Sequence, residues 1–120
     1  SNEEKWSRVV ESFDKLDGYQ SQDRTKIIVV VFPLLRDFEK YQWHGVHEKI
    51  RNISLEHNFY YIDLLDYYKE YEPEELKISA LDYYHTNPKG HEIAANVLNS
   101  FIGAIDQDNT KTDRKDAGED

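Results

Sequence analysis

The run Ile27 to Phe32 reads Ile-Ile-Val-Val-Val-Phe, and this short apolar segment constrains the fold of the chain more than any other feature. A strand with one solvated face alternates apolar and polar residues, whereas a parallel strand covered on both faces is apolar throughout and rich in β-branched residues. Pro33 ends the segment, because proline cannot donate to a ladder. We therefore expect a central strand of a parallel sheet.

Two helices are expected around this strand. The first spans about 3–17, since its apolar residues recur at helical spacing, and Gly18 is in position to stop it. The second lies within 38–57 and is clearest in its C-terminal half. We expect His44 and His47, three residues apart, to lie on its solvated face.

The rest of the chain continues the alternation. Residues 59–65 are aromatic and branched and predict a second strand, and 67–81 predicts a loop with one short helix. Asn87-Pro88 pairs an N-cap residue with proline at the first helical position, which starts a last helix with one apolar stripe. The order predicts an α/β fold, a three-layer sandwich with a parallel sheet.

Two strands make an incomplete sheet. Strands that are buried on both faces need neighbours at their edges, so we expect further strands from sequence outside these residues or from another chain. The unpaired strand edges also predict self-association. We place the domain at 1–105 and a disordered acidic tail at 106–120, because the tail has no large apolar residue.

Composition narrows the partners of the chain. A formal charge of -9 without a basic cluster argues against nucleic acid. The longest apolar run is interrupted by Pro33 and is too short for a membrane span, so we expect a soluble protein of undetermined compartment. The absence of cysteine excludes thiolate metal sites and a cysteine nucleophile.

The loop before the last helix places Asp82 three residues ahead of His85. In open α/β sheets, reactive groups lie on loops beyond the carboxyl ends of the strands. On a turn, the Asp82 carboxylate can accept the Nδ1 proton of His85, which leaves Nε2 as a base of the kind that activates a serine. Asp-x-x-His alone is a frequent spacing, so a purely structural pair stays open.

Residues 81–95 as a whole resemble the last motif block of SGNH/GDSL hydrolases, in which Asp-x-x-His is followed by Asn, a Gly-His dipeptide and a small-residue helix. Thr86 departs from the pattern, since the family often has proline there. A buried strand that ends in Pro33, a helix, and a strand with Ile-Asp-Leu at 62–64 precede this block, as in the family. The residues that match in register are Asp82, His85, Asn87, Gly90, His91 and Ala94.

The resemblance implies an SGNH hydrolase fold of flavodoxin-like topology, of which this chain would hold the C-terminal half. It implies an enzyme that hydrolyses a small-molecule, carbohydrate or lipid carboxylic ester through a serine acyl-enzyme, without metal or other cofactor. His85 would be the general base and then the general acid, and Asp82 would orient it. Tyr83 and Tyr84, beside this pair, would contribute to substrate binding.

The serine nucleophile of that family has no counterpart among these residues. No serine of the chain lies in a Gly-Asp-Ser block or a Gly-x-Ser-x-Gly elbow, and the family's oxyanion-hole glycine and asparagine blocks are absent too. Ester hydrolysis by this chain alone should therefore be negligible. The sequence predicts a C-terminal fragment that supplies the catalytic Asp and His.

Two other interpretations stay open. One is a non-catalytic binding or assembly module derived from the same fold, which completes its sheet by dimerisation. The other is a metal-dependent hydrolase with Asp82, His85 and His91 as ligands. It is the weaker of the two because no further ligand at suitable spacing is evident, and we expect no metal site.

Overall fold

The computed structural model describes residues 1–23 and 25–107, and these form a mixed α/β fold around a two-stranded parallel sheet. The prediction of α/β architecture with a parallel sheet is confirmed at this level. In chain order the elements are α1 (Asn2–Asp23), β1 (Ile28–Val31), α2 (His44–Glu56), β2 (Tyr60–Asp63), α3 (Leu65–Tyr68), α4 (Pro73–Leu76) and α5 (Pro88–Gln107).

The two strands run in the same direction, and α2 connects them. Ile28 lies opposite Tyr60, and Val31 lies opposite Asp63 at the carboxyl ends of the strands. The ladder is extended by a hydrogen bond of 3.0 Å from the Leu64 N–H to the Val31 carbonyl oxygen. Both strands therefore end at one edge of the sheet, where the loops that follow them meet.

Helices cover both faces of β1, because its side chains alternate between two apolar clusters. Ile28 and Val30 pack against the cluster on the α5 face, and Ile27 and Val29 pack against the cluster on the α1 and α2 face. The buried residues of the first cluster are Leu35, Ile62, Leu64, Tyr68, Leu76 and Ala94, and those of the second are Phe13, Ile53 and Phe59. The hydrophobic cores on the two sides fix the position of the sheet.

α1 is longer than its pattern indicates, since it continues through Gly18 to Asp23. Glycine inside a helix costs about 1 kcal/mol relative to alanine, but contacts with the C-terminal end of α2 hold this part of α1. The Gln20 side chain donates to the His57 carbonyl oxygen at 3.0 Å, and the Asp17 carboxylate lies 3.0 Å from His57 Nδ1. Tertiary contacts therefore outweigh the local stop signal.

The segment before α2 is not helical, although the sequence pattern includes it in a helix. Asp37 has a positive φ of 41°, and its carboxylate accepts the Lys40 N–H at 3.2 Å, which closes a turn. This turn brings Tyr41 back into the core, where it is 6% exposed. α2 consequently begins at His44 rather than near residue 38.

β2 is also shorter than predicted, and the stretch after it holds two short helices instead of one. The Asp63 carboxylate accepts the Leu65 N–H at 3.0 Å, which ends the strand and starts α3. α4 begins with Pro73 inside a capping box formed by Glu72 and Glu75. The loop to α5 therefore begins only after Leu76.

α5 runs through Gln107 and so includes the first two residues of the predicted tail. Residues 108–120, where the rest of that tail falls, lie outside the described residues. Within the described ranges, none of the helices has the length and apolar character needed to cross a bilayer.

Candidate active site

The loop that carries Asp82 and His85 is fastened at both ends. Lys77 and Thr86 form an isolated antiparallel bridge, and the Ile78 N–H donates to the His85 carbonyl oxygen at 3.2 Å. The Thr86 hydroxyl donates to the Leu76 carbonyl oxygen at 2.8 Å and is buried. Residues 77–86 thus form a closed turn at the N-terminal end of α5.

The start of α5 is fixed by Asn87, as the N-cap prediction requires. Its Oδ1 accepts the Gly90 N–H at 3.0 Å, and its Nδ2 donates to the Glu75 carbonyl oxygen at 2.8 Å. The Gly90 carbonyl oxygen accepts the Tyr68 hydroxyl at 2.8 Å. These bonds tie α5 to α3 and α4 and give the preceding loop a rigid base.

Asp82 and His85 lie together in the predicted geometry. His85 Nδ1 is 2.8 Å from Asp82 Oδ2, while Asp82 Oδ1 accepts the backbone N–H groups of Tyr84 at 2.9 Å and of His85 at 3.0 Å. Because an ionised carboxylate only accepts, His85 donates from Nδ1, which in the neutral ring leaves the lone pair on Nε2. The turn therefore selects the tautomer that a general base needs.

The same contacts set the charge of Asp82. The Tyr84 N–H, then the His85 side chain and the His85 N–H, lower the pKa of this carboxyl below its ordinary value of 3.8. The His85 side chain is 76% exposed, and Nε2 makes no hydrogen bond within residues 1–23 and 25–107. The pair thus presents an open base to solvent.

Tyr83 and Tyr84 lie between Asp82 and His85 in the chain and differ in exposure. Tyr84 is 75% exposed, whereas Tyr83 is held in place by its neighbours. Its carbonyl oxygen accepts the Leu35 N–H at 2.9 Å, and its ring lies under Lys77 Nζ at 4.3 Å. Tyr83 therefore links the turn to the segment after β1, and a role in substrate binding for either tyrosine stays a prediction.

Apolar side chains around the pair are exposed. Leu81, next to Asp82, is 88% exposed, and Ile78, whose N–H bonds to the His85 carbonyl oxygen, is 61% exposed. Phe32, at the carboxyl end of β1, is 48% exposed. An uncharged ligand or another polypeptide would find apolar contacts here.

Among residues 1–23 and 25–107, the pair lacks both a hydrogen-bonded serine and a metal-binding cluster. No serine hydroxyl is hydrogen-bonded to His85 in the part of the chain that the structure describes. Among the same residues, no group of three or more His, Cys, Asp and Glu side chains is arranged to hold a metal ion. His91, the further ligand of the metal interpretation, is exposed in the first turn of α5.

His47 was expected on a solvated face, and this prediction is wrong. Its side chain is 8% exposed, with Nδ1 2.8 Å from Asp63 Oδ2 and Nε2 2.9 Å from the Tyr41 hydroxyl. The apolar pattern of α2 predicts a buried face that includes Val46, Ile50 and Ile53. In the structure Val46 is 50% exposed and the next residue, His47, is buried instead. The helical spacing of His47, Ile50 and Ser54 is the sequence signal that would have predicted the burial of His47.

Comparisons of this chain with protein-family models, with curated proteins and with solved structures gave no match in any of the three.

Proposed function

We propose that this chain supplies the general base and its orienting carboxylate to a serine ester hydrolase of the SGNH/GDSL type. One observation carries the proposal. Asp82 is bound through Oδ1 to the Tyr84 N–H and through Oδ2 to His85 Nδ1, on a turn that bonds to the segment after β1, and within the described residues His85 Nε2 has no hydrogen-bond partner. The two-stranded α/β fold would then be part of the flavodoxin-like fold of that family.

In the proposed reaction, His85 Nε2 takes the proton from a serine hydroxyl while the serine oxygen bonds to the acyl carbon of an ester. The imidazolium then gives this proton to the leaving alcohol oxygen as the carbon–oxygen bond breaks. In a second step, the same nitrogen takes a proton from water as the water oxygen bonds to the acyl carbon. The bond to the serine oxygen then breaks, the serine regains the proton, and the acid is released. Asp82 stays ionised throughout and stabilises the imidazolium, as its lowered pKa allows.

The serine and the oxyanion donors would come from polypeptide outside these 120 residues. The surface around the pair supports this division, because Leu81 and Ile78 are exposed beside His85 and Phe32 is exposed at the end of β1. A segment packed there would cover apolar area and place a hydroxyl near Nε2. The substrate class is a small-molecule, carbohydrate or lipid ester.

The test is ester hydrolysis by the polypeptide that the gene encodes from its start codon, which includes whatever precedes Ser1. We expect a Gly-Asp-Ser block in it and turnover of a short-chain nitrophenyl ester. His85→Ala should lower kcat by roughly 10³-fold or more, and Asp82→Asn by roughly 10²-fold to 10⁴-fold. The isolated 120-residue chain should show no turnover above that of free imidazole.

His91→Ala is the matched control, since it removes an exposed histidine of the neighbouring helix and should leave kcat unchanged. Hydrolysis that persists in His85→Ala would contradict the proposal. So would turnover by the isolated chain that depends on His85, because the nucleophile would then lie among residues assigned no such role.

The second candidate is an assembly module, and the edge of β1 favours it. Both faces of β1 are packed, yet all four of its residues are only half-buried, whereas Tyr60, Tyr61 and Ile62 of β2 are buried. The exposure of β1 therefore arises at its open edge, which is a template for strand pairing. Dimerisation through this edge would complete the sheet without catalysis.

Proline at Val30 tests the module. The Ile27 and Val31 carbonyl oxygens accept the N–H groups of Tyr60 and Leu64, on the β2 side of the strand. Successive residues of a strand point their N–H and C=O groups to opposite edges, so the Val30 N–H points to the open edge. Val30→Pro removes that donor without breaking the ladder. Sedimentation should show a dimer for the wild type and for Val30→Ala, which keeps the N–H, and a monomer for Val30→Pro. A monomeric wild type would exclude the module.

A further inference from the structure

Two buried side chains, Tyr41 and His47, form a continuous series of hydrogen bonds with the partly buried Asp63. Asp63, the last residue of β2, bonds through Oδ2 to His47 Nδ1 at 2.8 Å, and His47 Nε2 lies 2.9 Å from the Tyr41 hydroxyl. The Tyr41 oxygen accepts the Leu34 N–H at 3.0 Å. The series thus connects the carboxyl end of β2 to the segment after β1.

Every hydrogen bond of this series has one donor and one acceptor if each group donates towards Asp63. The Asp63 carboxylate accepts from His47 Nδ1, so His47 Nε2 is free to accept from the Tyr41 hydroxyl. The Tyr41 oxygen then accepts from Leu34. Burial, more than the Asp63 charge, raises the pKa of Tyr41, and the Leu34 N–H opposes this in part, so the phenol keeps the proton that it donates.

The segment after β1 also contacts the Asp82–His85 turn. The N–H of Leu35, one residue beyond Leu34, donates to the Tyr83 carbonyl oxygen at 2.9 Å, and Leu35 is 1% exposed. The Arg36 guanidinium lies 5.4 Å from the centre of the Tyr83 ring. Tyr83 follows Asp82 directly in the chain. The series of hydrogen bonds ends at Leu34, and the bond from the next residue, Leu35, to Tyr83 holds the Asp82–His85 turn.

We propose that Tyr41 and His47 are positioning residues, which hold the Asp82–His85 pair in register with the carboxyl end of the sheet through Leu34, Leu35 and Tyr83. This inference deepens the proposed function and rests on it, because the exact position of the Asp82–His85 pair matters only if His85 Nε2 has to reach a serine hydroxyl. The path consists of named bonds between 2.8 and 3.0 Å.

The chain offers a matched control for this path. The Tyr61 hydroxyl also contacts the same two residues, at 3.2 Å from the His47 carbonyl oxygen and 3.3 Å from Asp63 Oδ2, and Tyr61 is buried. Tyr61→Phe and Tyr41→Phe each remove one buried hydroxyl beside His47. The Tyr41 hydroxyl also accepts the Leu34 N–H, so Tyr41→Phe, unlike Tyr61→Phe, should affect the distant pair.

The experiment is NMR on the full 120-residue chain, with two readouts. For Tyr41→Phe we expect amide exchange at Leu35 to accelerate at least about tenfold, and the ¹⁵N shifts of His85 to show loss of the single Nδ1-protonated tautomer. Tyr61→Phe should change neither. His47→Ala would add a test but leaves a cavity, so the phenylalanine variants carry the comparison.

Equal effects of the two phenylalanine variants, or no effect of Tyr41→Phe on the His85 tautomer, would overturn the inference. These readouts require no turnover, which separates the two claims. A longer polypeptide that hydrolyses esters normally with Tyr41→Phe would refute the positioning role alone. A pair that responds to Tyr41→Phe in a polypeptide without hydrolase activity would refute the proposed function and, with it, the catalytic purpose of the positioning.

Discussion

At the scale of single residues, Asp82 decides what His85 can do. Its two carboxylate oxygens are divided between the backbone and the imidazole, with Oδ1 bound to two N–H groups and Oδ2 bound to Nδ1. This division keeps the carboxylate ionised and turns the imidazole so that Nε2 faces outward. The sequence spacing predicted the pair, but not the two backbone bonds, which depend on the local φ and ψ angles of the turn.

The lowered pKa of Asp82 gives a pH prediction. A carboxyl whose folded-state pKa lies below its unfolded value stabilises the folded turn fully above the unfolded value, and this contribution is lost as pH falls through the folded-state pKa. The contribution of the Asp82 carboxylate to the stability of the turn should therefore be retained above pH 3.8 and decrease as pH falls below it. Titration of the Asp82 carboxyl carbon by NMR measures this directly.

His85→Ala separates the causes of that shift. Since the Tyr84 N–H is the largest cause and survives the substitution, the pKa of Asp82 should rise but stay below 3.8. A titration midpoint at or above 3.8 in the variant would show that the imidazole, rather than the backbone, holds the carboxylate.

At the scale of elements, the site depends on how closely α5 approaches the turn. Gly90 is buried in the first turn of α5, and a Cβ there would collide with the Thr86 side chain. That side chain cannot retreat without losing its 2.8 Å bond to the Leu76 carbonyl oxygen. Glycine at this position is therefore a packing requirement of the turn.

Gly90→Ala should destabilise the chain by about 1 to 3 kcal/mol, because an inserted methyl group overpacks the contact with Thr86. Gly103→Ala is the control in the same helix, where a Cβ meets open space, and it should stabilise by about 0.5 to 1 kcal/mol. Urea unfolding of the two variants gives both values. A neutral Gly90→Ala would mean that the turn yields easily.

Element boundaries show where the sequence was informative. The N-cap at Asn87 and the parallel strand at β1 followed from local rules, because each depends on residues adjacent in sequence. The extension of α1 past Gly18 and the burial of His47 did not. Both depend on contacts with residues far along the chain, such as His57 and Asp63, which no local pattern contains.

At the scale of the whole molecule, the carboxyl ends of β1 and β2 lie side by side, and the segment after β1 and the start of α5 hold the Asp82–His85 turn. β1 ends at the segment bonded to Tyr83, β2 ends at Asp63, and α5 begins just after His85. The parallel strand β1 and the coverage of both its faces could be predicted from the apolar run at 27–32. What completes the open edge of β1 could not, because sequence patterns do not name a partner.

If His85 activates a serine, a fluorophosphonate probe should label that serine. The activated serine oxygen bonds to phosphorus, fluoride leaves, and His85 takes the proton. In the polypeptide that the gene encodes from its start codon, mass spectrometry should locate one label on a Gly-Asp-Ser serine. The label should be lost in His85→Ala and kept in His91→Ala. Equal labelling of the His85→Ala variant, or no labelled serine in the wild type, would contradict the claim.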